Sequence, residues 1–127
     1  NLLKKYIKHI PSAALDIINT TNTPTTIIYN SPINLPNLLI QNETIAIRIT
    51  KNPVLKMMLS KFNQAITSTS ANISGQELAT SLDEIDDKIK QKVDYIIPED
   101  FIALKAGSTA SRILKINKNN TIEIIRK

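Results

Sequence analysis

Residues 44–50, Thr44-Ile45-Ala46-Ile47-Arg48-Ile49-Thr50, alternate strictly between isoleucine and other residue types. A period of two puts the three isoleucines on one face of a strand and Thr44, Ala46, Arg48 and Thr50 on the other, so one face must meet a core. The period then changes at once. Asn52 reads as an N-cap with Pro53 at the first helical position, and Leu55, Met58, Leu59 and Phe62 recur at helical spacing. A strand that runs straight into an amphipathic helix requires a fold in which α and β elements pack together.

The rest of the chain repeats this mixture. Leu3, Tyr6, Ile7 and Ile10 predict an N-terminal helix with Lys4, Lys5 and Lys8 on its other side, ended by Pro11. Ser12 is placed to cap a second helix carrying Leu15, Ile17 and Ile18. Pro24 precedes a β-branched run, Thr25-Thr26-Ile27-Ile28-Tyr29, closed by Asn30-Ser31-Pro32, which predicts a strand. A further strand is expected at residues 93–97, ended by Pro98, and if residues 64–69 form another, Ser70 and Asn72 lie where a phosphate or carboxylate would be held. Ser81-Leu82-Asp83-Glu84 has the form of a capping box, opening a helix with Leu82, Ile85, Ile89 and Val93 on one face. Residues 111–116 and 121–125, separated by Asn117-Lys118-Asn119-Asn120, read as a hairpin. The expected architecture is one domain over residues 1–127, α/β or α+β, with an open mixed sheet flanked by helices and at least one antiparallel pair.

Composition removes several chemistries. The 127 residues include no Cys, one His and two Gly, which excludes disulfides, thiolate metal sites, a Cys nucleophile, a Walker A loop and a dinucleotide-binding glycine motif. His9 beside Lys8 reads as a surface residue, and a zinc site lacks ligands. The acidic group Asp83, Glu84, Asp86 and Asp87 suits the first turns of a helix better than paired-carboxylate catalysis. No apolar run approaches the roughly 20 residues that span a bilayer, and no signal peptide is evident, so a cytoplasmic location is expected. The net charge of +5 suits polyanions such as nucleotides or RNA without requiring them.

What remains is equipment for holding anions. Residues 67–75, Thr67-Ser68-Thr69-Ser70-Ala71-Asn72-Ile73-Ser74-Gly75, bring hydroxyls, an amide and a glycine into one turn that can face an oxyanion. The same composition also suits a plain strand-to-helix loop whose hydroxyls bond only to their own backbone. Gly107-Ser108-Thr109-Ala110-Ser111-Arg112 is a second hydroxyl-rich turn. Arg48, mid-strand, is expected half-buried and in want of an anion, unless its strand is an edge with a solvated face. Arg126 closes the last strand.

In order and approximate spacing, residues 44–50, 68–75, 110–114 and the terminal Glu123-Ile124-Ile125-Arg126 resemble the Sua5/YrdC family, which includes the YciO and YwlC groups and makes threonylcarbamoyl-adenylate. Pro24-Thr25-Thr26-Ile27 resembles the family's Gly-Pro-x-Thr segment, with Thr23 in the place of the glycine. The resemblance implies a YrdC-like twisted open sheet with a basic cleft. It also implies a reaction that joins L-threonine, bicarbonate and ATP, with Mg²⁺, into threonylcarbamoyl-AMP and diphosphate. The product would feed a threonylcarbamoyl-transferase complex that modifies tRNA adenosine to t6A.

Carried over by position, Ser70 and Asn72 would hold the ATP phosphates, with Thr44 and Arg126 on the nucleotide. Arg48 would take the threonine carboxylate, with Ser68 and Ser111 completing that side. Catalysis would be positioning by Arg48, Ser70 and Asn72, with no acid/base residue and no protein-held metal. The family's N-terminal basic Lys-Arg motif has no match here, so the chain is expected to be the C-terminal two-thirds of such a domain, unable to complete the reaction alone. Arg112 stands where the family usually has Thr or Ser. A non-catalytic relative that binds tRNA or double-stranded RNA is the alternative, and a carbamoyl-transfer domain of the hydrogenase-maturation kind is a third.

Overall fold

The structure, a computed structural model, describes residues 2–102 and 110–127. Its architecture is α/β, with helices and an open four-stranded mixed sheet, and the chain forms two compact units. The first comprises Asn1–Lys51 and Ala110–Lys127; the second comprises Asn52–Thr109.

The sheet belongs to the first unit. Strands β1 (Thr25–Asn30), β2 (Thr44–Arg48), β3 (Arg112–Ile116) and β4 (Ile122–Arg126) lie in the order β2-β1-β3-β4. β1 pairs antiparallel with β2 and parallel with β3, and β3 and β4 form the expected antiparallel hairpin. The asparagines make that hairpin turn. Asn120 takes a positive φ of 62°, which Asn tolerates, and Asn117 Nδ2 donates to Thr121 Oγ1 at 3.0 Å.

Alternation along β1 divides the sheet into two faces. Thr25, Ile27 and Tyr29 are buried, whereas Thr26, Ile28 and Asn30 are half-buried. The buried face meets helix α1 (Ser12–Thr20) and the N-terminal segment in a core of Leu3, Ile7, Ala14, Ile27, Tyr29 and Ile116. Ile45 and Ile47 of β2 pack against it, as their alternation predicted. Removal of such side chains from water is worth about 1.5–3 kcal/mol each, so this cluster is the main stabilising element of the unit.

Several local expectations are corrected. The N-terminal segment is a single 3₁₀ turn at Leu2–Lys5, not a helix, and Ile7 forms a bridge with Pro32. Its backbone is tied to the 31–34 loop, since the Ile33 N–H donates to the Tyr6 carbonyl at 2.8 Å. Pro11, with no side-chain cap bond, precedes α1, and Ser12 is its first residue; Ala14 is its buried contact while Leu15 is exposed.

The second unit begins with α2 (Pro53–Phe62). Asn52 caps it as predicted, its Oδ1 accepting from the Leu55 N–H at 3.1 Å. Leu55, Met58 and Leu59 are half-buried, but Phe62 is exposed. The strand expected at 93–97 does not form, nor does the conditional one at 64–69, and both stretches are largely exposed. The capping box at Ser81 does not open a long helix. Helix α3 is only Asp87–Lys90, with Asp86 as its N-cap and Val93 exposed beyond it, and α4 (Glu99–Ile102) follows Pro98. Glu84 instead reaches back to Thr80, accepting from its N–H at 2.7 Å and its hydroxyl at 2.9 Å. Among the described residues no helix is long and apolar enough to cross a membrane.

Candidate functional site

On the half-buried face of the sheet, strand register lines up one residue from each strand. Arg48 stands opposite Thr26, Thr26 opposite Ile113, and Ile113 opposite Arg126. Directly paired residues point to the same face, so two arginines and a threonine share one row. A register shift between Ile113 and Leu114 brings Arg126 into it. The row lies where β1 and β3 begin and β2 and β4 end.

Ser111 joins this row just before β3. Its hydroxyl lies 2.8 Å from that of Thr26, and its carbonyl accepts from Arg126 Nε at 3.1 Å and Nη2 at 2.6 Å. On the other face, Arg112 Nε donates to Thr25 Oγ1 at 2.8 Å and its Nη2 to Thr21 Oγ1 at 3.2 Å. Arg112 therefore joins the end of α1 to the start of β1 and lies outside the row. Ala110 is exposed; Gly107, Ser108 and Thr109 lie outside the described residues.

Arg48 corrects the expectation of a half-buried guanidinium. It is exposed, because β2 is an edge strand, and has no hydrogen-bond or ion-pair partner among the described residues. Arg126 is also exposed and has no ion-pair partner there. The row thus presents two uncompensated cations and a pair of hydroxyls. Such a set can hold a carboxylate or phosphate by charge and directed donors.

Thr44 lies at the opposite end of β2 from Arg48, about 13 Å away at the usual rise per residue. Its hydroxyl donates to the Gln41 carbonyl at 2.8 Å, which closes the turn before the strand. The structure therefore does not bring Thr44 into the row.

Ser68, Ser70 and Asn72 belong to the second unit. Ser68 and Ser70 are exposed, and neither hydroxyl has a partner among the described residues. Asn72 is half-buried; its Nδ2 donates to the carbonyls of Ile73 at 3.2 Å and Gln76 at 3.0 Å, while its Oδ1 is buried without a partner. The Gln76 N–H closes a turn onto the Ile73 carbonyl at 2.9 Å, with Gly75 at φ 87° in its third position. The loop is thus divided. The Asn72 amide serves its own backbone, and the two serines keep their donors free.

No group of three His, Cys, Asp or Glu side chains able to hold a metal occurs among the described residues, and the row contains no carboxylate. These residues do not fit a resident Mg²⁺, which prefers carboxylates and phosphates.

The residue that sequence reasoning left without a role is Thr26. Its only local signal was membership of the Pro-x-Thr segment, and its partner Ser111 is 85 positions away.

The fold is an open α/β sheet that carries a basic, hydroxyl-bearing row at one end. Comparison with known proteins makes this particular. The model of the Sua5/YciO/YrdC family, described as telomere recombination, matches residues 1–127, and the chain belongs to that family. A protein of Methanocaldococcus jannaschii, provisionally named threonylcarbamoyl-AMP synthase, is 37% identical over 101 residues, covering 80% of this chain and 45% of its own. The threonylcarbamoyl-AMP synthase of Pseudoalteromonas translucida is 29% identical over 108 residues, 84% of this chain and 56% of its own. That of Psychromonas ingrahamii is 34% identical over 92 residues, 69% and 48%. The chain spans about half the length of these curated relatives. No solved structure matches it significantly.

Proposed function

We propose that this chain supplies anion-holding elements of a threonylcarbamoyl-AMP synthase, which joins L-threonine, bicarbonate and ATP and releases diphosphate, for t6A modification of tRNA. The observation that carries the reading is the row Arg48, Thr26, Ser111 and Arg126, with two guanidiniums unpaired by any described carboxylate. In this reading Arg48 takes the threonine carboxylate and Ser111 donates to the same ligand. Arg126 is the cation for the nucleotide, Ser70 offers its hydroxyl to a phosphate, Asn72 holds the loop that carries Ser70, and Thr44 acts from its turn at the far end of β2. Ser68 completes the threonine side. Mg²⁺ enters only with ATP, as part of the substrate. The chain's contribution is alignment of two reactants and stabilisation of charge, without a proton-transferring side chain.

The test is calorimetric titration with L-threonine and with its methyl ester, which lacks the carboxylate. Saturable binding of threonine but not of the ester is expected. Arg48→Ala should weaken threonine binding about 10- to 100-fold, the value of one hydrogen bond to a charged group. Equal binding of acid and ester, or an unaffected variant, would refute it.

The exposed Lys4, Lys5 and Lys8 favour RNA contact as a second reading. RNA affinity that falls steeply with salt and survives Arg48→Ala, without threonine binding, would select it.

A further inference from the structure

We infer that Thr26 is a positioning residue: it donates its hydroxyl proton to Ser111 Oγ and thereby leaves the Ser111 proton directed at a bound acceptor. The two oxygens lie 2.8 Å apart, Thr26 in β1 and Ser111 just before the parallel strand β3, and either can serve as donor in the free protein. A hydroxyl has one proton and two acceptor sites, so in a pair only one proton is used and the other must point elsewhere.

Three features decide which residue holds the other. Thr26 lies inside the central strand β1 between two neighbours, and its branched Cβ restricts χ1. Ser111 precedes β3 and is unbranched, so its hydroxyl has more rotamers open to it. The backbone around Ser111 is nonetheless fixed, because its carbonyl takes two bonds from Arg126 and the Arg112 N–H donates to the Pro24 carbonyl at 3.0 Å. With the main chain held at its carbonyl and at the next N–H, the hydroxyl is the part of Ser111 left to turn, and Thr26 sets its direction. Chains of hydroxyls polarise one another, so a Ser111 that accepts from Thr26 is also a better donor.

The ligand half of this inference rests on the threonine reading above, whereas the geometric half does not. The experiment separates them. Ser111 Hα–Hβ couplings are measured by NMR in the ligand-free protein, in Thr26→Val, which keeps shape and branching, and in Thr26→Ser, which keeps the hydroxyl. One Ser111 rotamer is expected in the wild type and in Thr26→Ser, and averaged rotamers in Thr26→Val. In the reciprocal variant Ser111→Ala, the Thr26 χ1 should not change. Titration with L-threonine should weaken about 5- to 10-fold in Thr26→Val, be restored in Thr26→Ser, and leave ATP binding unmoved. A single Ser111 rotamer in Thr26→Val, or a Thr26→Ser that behaves like Thr26→Val, overturns the positioning role. If the wild type binds no threonine, the functional reading fails while the couplings still decide the role of Thr26.

Discussion

Arg112 Nε donates to Thr25 Oγ1 at 2.8 Å, linking the first residue of β3 to the first residue of β1. The same guanidinium reaches Thr21 Oγ1 just after α1, and Thr25 Oγ1 donates onward to the Thr23 carbonyl at 2.8 Å. One side chain therefore joins a helix end to two parallel strands. The cation also lies near the negative end of the α1 dipole, where it is favoured.

Loss of this link should register as stability. Arg112→Ala is expected to cost about 1.5 to 3 kcal/mol, the range for hydrogen bonds made by a charged donor. Arg112→Lys should recover little, since an ammonium cannot reproduce the planar fork that reaches both hydroxyls. Chemical unfolding midpoints of the three proteins test this, and a lysine variant as stable as wild type would contradict it.

Tyr29 predicts a stability change in alkali. Its side chain is 1% exposed, its hydroxyl has no partner among the described residues, and burial pushes its pKa up from 10.0 to about 12. The neutral phenol is favoured in the folded state, so the contribution is complete below the unfolded value and is lost as pH rises from about 10 through 12. Two units correspond to about 2.7 kcal/mol. Tyr29→Phe should remove this slope and, by deleting an unpartnered buried hydroxyl, raise stability at neutral pH by about 1 kcal/mol. Urea unfolding between pH 7 and 12 is the measurement.

These elements differ in how plainly the sequence announced them. β1, β2, the hairpin and the Asn52 cap rest on local signals: alternation, a turn of asparagines, and an N-cap before proline. The segments at 64–69 and 93–97 carry strand-like composition but no strand, because a strand exists only through a partner and composition does not supply one. The same holds for the site. Arg48 was visible as an odd residue in an alternating run, yet its exposure follows from β2 lying at the sheet edge. Thr26 and Ser111 meet only through the parallel pairing of β1 and β3, a relation between distant segments that neither segment reveals alone.

Glu84 gives a pH dependence of the opposite sign. Hydrogen bonds from the Thr80 N–H and hydroxyl hold its carboxyl below the ordinary value of 4.5. A depressed carboxylate stabilises above its unfolded pKa and loses that contribution as pH falls through the folded value. The Thr80 amide should therefore stay protected at pH 4.5 and exchange with solvent faster only as pH falls below it through the lowered value, after correction for intrinsic rates. Glu84→Gln should show the fast behaviour at all pH values.

Gly75 tests the loop turn. Its φ of 87° disfavours any Cβ, although a methyl group there would meet no atom within 4 Å. Gly75→Ala should therefore cost about 1 kcal/mol through backbone conformation alone. The effect should appear in the protection of the Gln76 amide, whose bond to Ile73 closes the turn. Unchanged protection would mean that the turn does not depend on the left-handed residue.

Arg48 and Arg126 occupy the two outer strands of one row and should separate in titrations. Arg48 carries no internal bond among the described residues, so Arg48→Ala should change stability by less than about 0.5 kcal/mol, as for most surface substitutions. Its cost should fall on threonine. Arg126 already holds the Ser111 carbonyl with two donors, so Arg126→Ala removes a structural link as well as a cation. It should lower stability by about 1 kcal/mol and weaken ATP more than threonine, because an extra cation matters most to the more highly charged ligand. Raising salt should narrow the ATP difference further, since both guanidiniums are exposed and exposed charges are screened. Equal loss of both ligands in both variants would show that the row acts as one undivided basic patch rather than as two ends with separate ligands.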